Sequence, residues 1–325
     1  MSARHLETPA TSQDPHPPQL DALAVRRTLR DAGLRARHGL SQNFLTNVDV
    51  LEDILAEADP APGRRVLEIG PGLGILTGGL LSAGAAVTAI ELDRGLAAFI
   101  RSRQAAAIEV AATAGPAAPG ALTLIEADAL DLDLTGLVPA PYDVVANLPY
   151  HITSPILHRL LGDEPPPRRM VLMVQREVAE RIAAAPGGLS YLSVFVQYHA
   201  EVRIARLVPP EAFEPEPAVE SGILVLEPRQ TEGALADPDD QDQLWRLVQA
   251  AFRERRKMLH NVLSRQLPIA PQRLAAALAT AGIAPDRRPQ TVSVGEWLAL
   301  RAALGPIGPD HRGRPRSSAG TVEPE

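Results

Sequence analysis

The chain has 325 residues, 45% of them hydrophobic and 22% charged, with a formal net charge of −7 and no cysteine. That content supports one large core or two ordinary ones, and the missing cysteine excludes disulfides, zinc–thiolate sites and a thiol nucleophile. No apolar run approaches the ~20 residues of a membrane span, and the polar, Pro-rich stretch from Met1 to Leu20 lacks the apolar centre of a secretory signal, so a cytoplasmic protein with no membrane partner is expected.

The negative charge weighs against nucleic acid, whose binding draws on neutralised phosphates. Its distribution answers part of that objection. Arg26, Arg27, Arg30, Arg35 and Arg37 cluster near the start; Arg253, Arg255, Arg256 and Lys257, the only lysine, form a second cluster. Asp237, Asp239, Asp240 and Asp242 gather in an expected loop. Local basic patches can steer RNA on an acidic protein, although either cluster alone reads as a solvated face.

In chain order, residues 1–20 read as a disordered tail. Arg65 to Ile69 is a short apolar run ending in glycines, hence a buried strand, and Ile75 to Leu81 begins a helix. Ala86 to Ile90 is a second strand and Gly95 to Arg103 a second helix. Ala105 to Gly120 reads as a loop. Leu122 to Ile125 and Tyr142 to Ala146 are further strands, Ser154 to Leu161 a helix, and Met170 to Val174 a fifth strand. This alternation implies an α/β fold with a mostly parallel sheet. Leu192 to Gln197, Val202 to Leu207 and Ile223 to Leu226 read as strands of an antiparallel edge. From Gln241 only helical spacing appears: Leu244, Leu247, Val248, Ala251 and Phe252, then Leu274 to Ala281 and Trp297 to Leu304. The breaker-rich stretch from Pro228 to Pro238 divides an α/β domain over 21–230 from a small C-terminal helical domain over 239–304. Residues 305–325 read as a second disordered tail.

The strand ends carry the chemistry. Glu68 to Gly74 (EIGPGLG) leaves a strand and enters a helix, where glycines permit a tight turn and close approach of a ligand. A dinucleotide fingerprint counted from Gly70 needs a third glycine at position 75, which is Ile75; G-x-G-x-G points instead to a cofactor without phosphates. Glu91 ends the second strand about 20 residues on, where a carboxylate accepts ribose hydroxyls. Asp128 ends the third and can accept an adenine amino group. Any one of these reads as an ordinary turn; together they describe an adenosine site at the carboxyl edge of the sheet.

Asn147-Leu148-Pro149-Tyr150 follows the fourth strand. It resembles the [N/D]-[P/I/L]-P-[Y/F] motif of methyltransferases acting on exocyclic amines of nucleobases. Such an amine is a poor nucleophile because its lone pair is delocalised. The Asn147 side-chain oxygen and the Leu148 carbonyl can each accept one N–H and favour a pyramidal nitrogen. Pro149 stiffens the loop, and Tyr150 offers a ring to stack on. His151 reads as a satisfied or exposed histidine rather than a base.

Several ordered motifs resemble the KsgA family of rRNA adenine dimethyltransferases, from about Leu29 to Leu300. Leu40-Ser41-Gln42-Asn43-Phe44-Leu45 is similar to its L-G-Q-N-F-L segment. Glu68 to Gly74 and Glu91-Leu92-Asp93 match its cofactor motifs, and Gln175 to Arg181 its Q-[KR]-E-V-A-x-R helix. Phe213 to Ser221 matches F-x-P-x-P-x-V-x-S, and Phe252 to Lys257 matches F-x-x-R-R-K. The resemblance implies a class I, Rossmann-like methyltransferase using S-adenosyl-L-methionine, with cofactor contacts at Asn43, Leu45, Gly70, Glu91, Asp128 and Asn147. Asn147, Tyr150 and Phe213 would hold the target adenine, with Phe213 stacking opposite Tyr150. The implied substrate is a pair of adjacent adenosines in the 3′-terminal hairpin loop of 16S rRNA, within a 30S subunit precursor, and the implied enzyme is a monomer. An Erm-type 23S rRNA methyltransferase and a non-catalytic rRNA-binding assembly factor are the rival readings. Ser41 stands where the family has glycine, Leu189-Ser190 where it has Tyr-Gly, and Gln290 where it has an acid.

Overall fold

A computed structural model describes residues 21–229 and 238–308. After α1 (Ala22–Asp31), β1 (Phe44–Leu45) and α2 (Val48–Ala58), strands and helices alternate. They run β2 (Arg65–Ile69), α3 (Ile75–Ser82), β3 (Ala86–Glu91), α4 (Arg94–Arg103), α5 (Ala105–Ala114), β4 (Leu122–Glu126), α6 (Leu134–Leu137), β5 (Asp143–Asn147), α7 (Thr153–Gly162), β6 (Arg169–Gln175) and α8 (Arg176–Ile182). There follow α9 (Tyr191–His199), β7 (Ala200–Val208), β8 (Phe213–Glu214) and β9 (Ser221–Pro228), then α10 (Pro238–Phe252), α11 (Leu259–Gln266), α12 (Pro271–Thr280) and α13 (Val294–Leu304).

Seven strands form one sheet in the order β4-β3-β2-β5-β6-β9-β7. The first five are parallel, and β9 runs antiparallel between β6 and β7. Helices cover both faces, so the inner strands are apolar runs without alternation; all six residues of β3 are buried. The chain winds outward from β2 in both directions, and the crevice at the carboxyl ends of β2 and β5 is where such sheets take ligands. β1 and β8 form a separate antiparallel pair, Phe44 opposite Glu214 and Leu45 opposite Phe213.

The structure departs from the sequence reading at four places. Ala105 to Gly120 is not a loop throughout: α5 occupies Ala105–Ala114. Its Ala-rich run holds no Gly or Pro, and alanine is the strongest helix former. Leu192 to Gln197 is not an edge strand but the middle of α9, begun by a reciprocal Ser190–Ser193 capping box. Leu192, Val194, Phe195, Val196 and Tyr198 are all buried, because α9 is covered on several sides, and a helix apolar all round loses its 3.6-residue signature. The edge is made by β7 and β9 alone. Asp239, Asp240 and Asp242 lie in the first turns of α10 rather than in a loop, where negative charge suits the helix dipole; Asp237 lies outside the described residues. Finally, Gly305 to Gly308 is packed against the helices: Ile307 is buried and its N–H donates to Gln243 Oε1 at 2.7 Å. The rest of the expected C-terminal tail, and all of residues 1–20, lie outside the described residues.

Helices α10–α13 pack around Leu247, Val248, Leu263, Leu274, Trp297 and Leu300. Leu189, Val194 and Tyr198 join the same apolar cluster. Trp245 of α10 meets Phe195 and Tyr198 of α9, each at 5.1 Å between ring centroids. The Gln290 carbonyl accepts the Leu189 N–H at 3.2 Å, so two positions named above as departures from the resembled motifs meet here. Among the described residues, no helix is long and apolar enough to cross a membrane.

Candidate active site

The parallel strands deliver their last residues to one cavity. Gly70 to Gly74 leave β2, Glu91 ends β3, Asp128 follows β4 and Asn147 ends β5; Gly70, Gly72, Glu91, Asp128 and Asn147 all line it, as do Asn43, Leu45, Leu148 and Tyr150. Leu40 to Leu45 add a strap to the wall.

The glycine loop has a steric reason. Gly70, Gly72 and Gly74 all have positive φ, a region costly for residues with a Cβ. At Gly72 an added Cβ would also lie 3.1 Å from the Phe44 ring. The Glu91 carboxylate accepts the Gly72 N–H at 3.0 Å and the Asp93 N–H at 2.8 Å, tying β3 to the loop. Burial pushes the Glu91 carboxyl above its ordinary range against these two bonds. A carboxylate has about four acceptor sites, so capacity remains for ribose hydroxyls.

Glu68 lies deeper, only 1% exposed, and accepts from Thr77 Oγ1 at 2.7 Å. Burial drives its carboxyl up to about 8, the Thr77 bond opposes the shift, and the nearby Glu91 charge adds to it. As a wall residue of the site it was missed in the sequence, although a lone Glu inside the apolar run RVLEI was the available signal. A latch was missed too. Asp93 caps α4 through the Gly95 and Leu96 N–H groups, and its second oxygen meets Arg37 Nε at 3.1 Å and Gln42 Nε2 at 3.4 Å. These contacts fasten the strap over the cavity. Of the N-terminal arginines, Arg26 pairs with Glu214, Arg30 with Asp31 and Arg37 with Asp93.

At the reacting loop, Asn147 Nδ2 donates to the Asn43 carbonyl at 3.1 Å. That bond orients the amide, and among the described residues Oδ1 has no hydrogen-bond partner and stands as an acceptor. Tyr150 is half-buried, and its hydroxyl shares a hydrogen bond with Ser221 Oγ at 3.2 Å, joining the tetrapeptide to the end of the Phe213 to Ser221 segment. His151 is exposed at the rim. Phe213 stands apart: it is 1% exposed, sits opposite Leu45 in the β1–β8 pair and packs in the core with Ile54 and Met173. It lies behind the cavity wall rather than on it, so the expected stacking face opposite Tyr150 is absent from this arrangement.

The carboxyl side chains on the cavity wall are Glu68, which burial holds in its protonated form at neutral pH, Glu91 and Asp128, and no Lys or Arg is among its lining residues. A pyrophosphate would find no cationic partner there. A cofactor carrying positive charge and no phosphate fits this lining.

Residues 33–304 match the family described as Ribosomal RNA adenine dimethylase. The chain belongs to this family. It is 43% identical over 285 residues to Ribosomal RNA small subunit methyltransferase A of Anaeromyxobacter dehalogenans (strain 2CP-C), covering 84% of this chain and 94% of that one. It is 40% identical over 291 residues to the protein of that name from Moorella thermoacetica (strain ATCC 39073 / JCM 9320), covering 88% and 99%. Among solved structures, a dimethyladenosine transferase from Plasmodium falciparum aligns with a TM-score of 0.65 at 26% identity, over 79% of this chain and 95% of that one. The 23S rRNA methyltransferase ErmE aligns with a TM-score of 0.62 at 27% identity, over 81% and 99%. This rRNA adenine dimethylase is therefore an enzyme with a methyltransferase fold, and its methyl donor is S-adenosylmethionine.

Proposed function

We propose that this chain converts two adjacent adenosines in the 3′-terminal hairpin loop of 16S rRNA to N6,N6-dimethyladenosine, acting as a cytoplasmic monomer on a precursor of the 30S subunit. The observation that carries the reading is the Asn147 amide, tied to Asn43 at one end and free to accept at the other, beside an acidic cavity without phosphate partners. The similarity to proteins named Ribosomal RNA small subunit methyltransferase A supports the choice of subunit.

Gly70 and Gly72 would admit the cofactor against their backbone, Glu91 would take its ribose and Asp128 its adenine amino group, with Asn43 and Leu45 closing over it. When bound, S-adenosylmethionine supplies an electrophilic methyl on a positively charged sulfur. A flipped adenine from single-stranded loop RNA enters at lower unstacking cost than one from a duplex. Asn147 Oδ1 and the Leu148 carbonyl accept its two N–H groups, and Tyr150 lies against the ring. Holding the nitrogen in line contributes most of the acceleration. The alkylated amine is acidic enough to lose its proton to water, so no base is required of His151.

A basic loop within the helices α10–α13 supports a role in holding phosphate. Arg253, Arg255, Arg256 and Lys257 lie between the end of α10 and the start of α11, and Arg255, Arg256 and Lys257 enter no ion pair among the described residues. The second reading, methylation of 23S rRNA, is favoured by the likeness to ErmE. One experiment separates the two: methylation of 30S and 50S particles in vitro, mapped by primer extension. Stops at two adjacent adenosines near the 3′ end of 16S rRNA are expected. Stops confined to 23S rRNA would overturn the assignment, and no stops on either particle would point to a non-catalytic assembly factor.

A further inference from the structure

One side chain, Arg159, bonds three carbonyls of the loop that follows Asp128. Arg159 in α7 donates from Nη1 to the carbonyls of Ala129 at 3.1 Å and Leu130 at 2.5 Å, and from Nη2 to the carbonyl of Leu132. Within the loop, Asp128 Oδ1 accepts the Leu130 N–H at 2.8 Å and the Asp128 carbonyl accepts the Asp131 N–H at 3.1 Å. Both of those bonds are local, closing the turn on itself. Arg159 ties it to a distant element, and α7 starts at Thr153, directly after the Tyr150–Ile152 turn of the reacting loop. One guanidinium therefore joins the Asp128 wall of the cavity to the helix that continues from the Asn147–Tyr150 wall. The planar fork of arginine, with five donors in fixed geometry, can satisfy several carbonyls at once; a lysine ammonium cannot span them in the same way.

We propose that Arg159 is a positioning residue that sets the cavity's selectivity for a purine bearing a 6-amino group. The proposal rests on the reading of Asp128 as acceptor for the adenine amino group of the cofactor. One Asp128 oxygen is committed to Leu130; the other has no partner among the described residues and is left for the ligand, and its direction follows the backbone from Ala129 to Leu132. Remove the guanidinium, and three carbonyls lose their donor while the turn keeps its internal bonds. The acceptor then wanders, and the purine is still bound but no longer read.

The test compares two probes by calorimetry on the full chain: S-adenosylhomocysteine, and its analogue with an unsubstituted purine in place of adenine. Wild type should prefer the adenine form by roughly 10- to 100-fold, the range for a hydrogen bond to a charged acceptor. Asp128→Ala should bring the ratio near one. Arg159→Met should lower it at least fivefold with little loss of affinity for the unsubstituted purine, and Arg159→Lys should restore part of it. A structural role alone would weaken both probes equally and leave the ratio intact, and that result in Arg159→Met overturns the proposal. Should Arg159→Met fail to fold, Arg159→Lys decides it, since a full wild-type ratio with lysine would show the fork to be unnecessary. If Asp128→Ala keeps the ratio, the reading of Asp128 falls and this proposal with it. If Asp128→Ala loses the ratio and Arg159→Met keeps it, only the role of Arg159 falls.

Discussion

The side-chain amide of Asn147 donates to the backbone carbonyl of Asn43 at 3.1 Å, across 104 positions of sequence. The Asn147–Tyr150 loop and the strap over the cavity are thus one hydrogen-bonded unit. Asn147→Ala should lower the methylation rate about a hundredfold, because the missing acceptor matters most as the amine pyramidalises, an effect of order 3 kcal/mol. Cofactor affinity should fall less, reflecting only a loosened strap. Single-turnover kinetics beside calorimetry reads the two separately, and a wild-type rate would reduce the tetrapeptide to a turn.

The parallel strands, and the strand ends that meet at one cavity, were legible in the sequence because both are local. Buried parallel strands are apolar runs, and Gly70, Glu91, Asp128 and Asn147 each sit at or just beyond the end of such a run. What escaped depends on partners far away in the chain. The Asp93 latch needs Arg37 and Gln42 folded back over it, and Arg159 reaches carbonyls 27 to 30 positions earlier. The identity of α9 escaped because burial on all sides erases the polar face that marks a helix.

Glu68 gives stability a pH dependence. Its carboxyl is held at about 8 when folded and titrates near 4.5 when unfolded. Below about 4.5 both states hold the proton. As pH rises toward 8 the unfolded chain has released it and the folded chain has not. Stability from this group is therefore fully present at low pH and is lost as pH rises, by up to ~1.4 kcal/mol per pH unit. Glu68→Gln removes the titration, so the stability of the variant relative to wild type should climb between pH 5 and 8 in cofactor-free denaturation. A flat difference would mean that Glu68 is ionised in the folded protein.

The basic loop between α10 and α11 should bind phosphate. Arg255→Ala with Lys257→Ala should weaken rRNA binding and flatten the plot of log affinity against log salt by about 0.7 to 0.9 for each phosphate no longer neutralised. Cofactor affinity should stay the same. An unaltered slope would make the loop a solvated face.

Ser41 adopts φ of 51°, and a left-handed residue with a Cβ costs roughly 1–2 kcal/mol. Ser41→Gly relieves that strain but adds about 0.5–1 kcal/mol of freedom to the unfolded chain. The net expectation is about 0.5–1 kcal/mol of added stability, read by chemical denaturation. A destabilised variant would show that the hydroxyl makes a compensating contact in the closed strap.

Phe213 separates a core role from a contact with the target base. Its ring is 1% exposed and packed with Leu45, Ile54 and Met173, so Phe213→Ala should cost about 3–5 kcal/mol of stability, as other buried Phe→Ala changes do. Such a loss would depress activity for reasons unrelated to stacking. Phe213→Leu keeps most of the volume and the packing while removing the aromatic face, and its stability should lie within about 1.5 kcal/mol of wild type. If the ring leaves the core to stack on the adenine when RNA binds, the leucine variant should lose the roughly 1–3 kcal/mol that a base–aromatic stack contributes. It should then accumulate N6-monomethyladenosine, since the second transfer must re-present a bulkier nitrogen in a looser pocket. If the ring stays in the core throughout, the leucine variant should dimethylate fully. Mass spectrometry of digested rRNA distinguishes the two. Full dimethylation by Phe213→Leu, alongside an unstable Phe213→Ala, would assign the residue to the β1–β8 core and leave Tyr150 as the aromatic partner of the base.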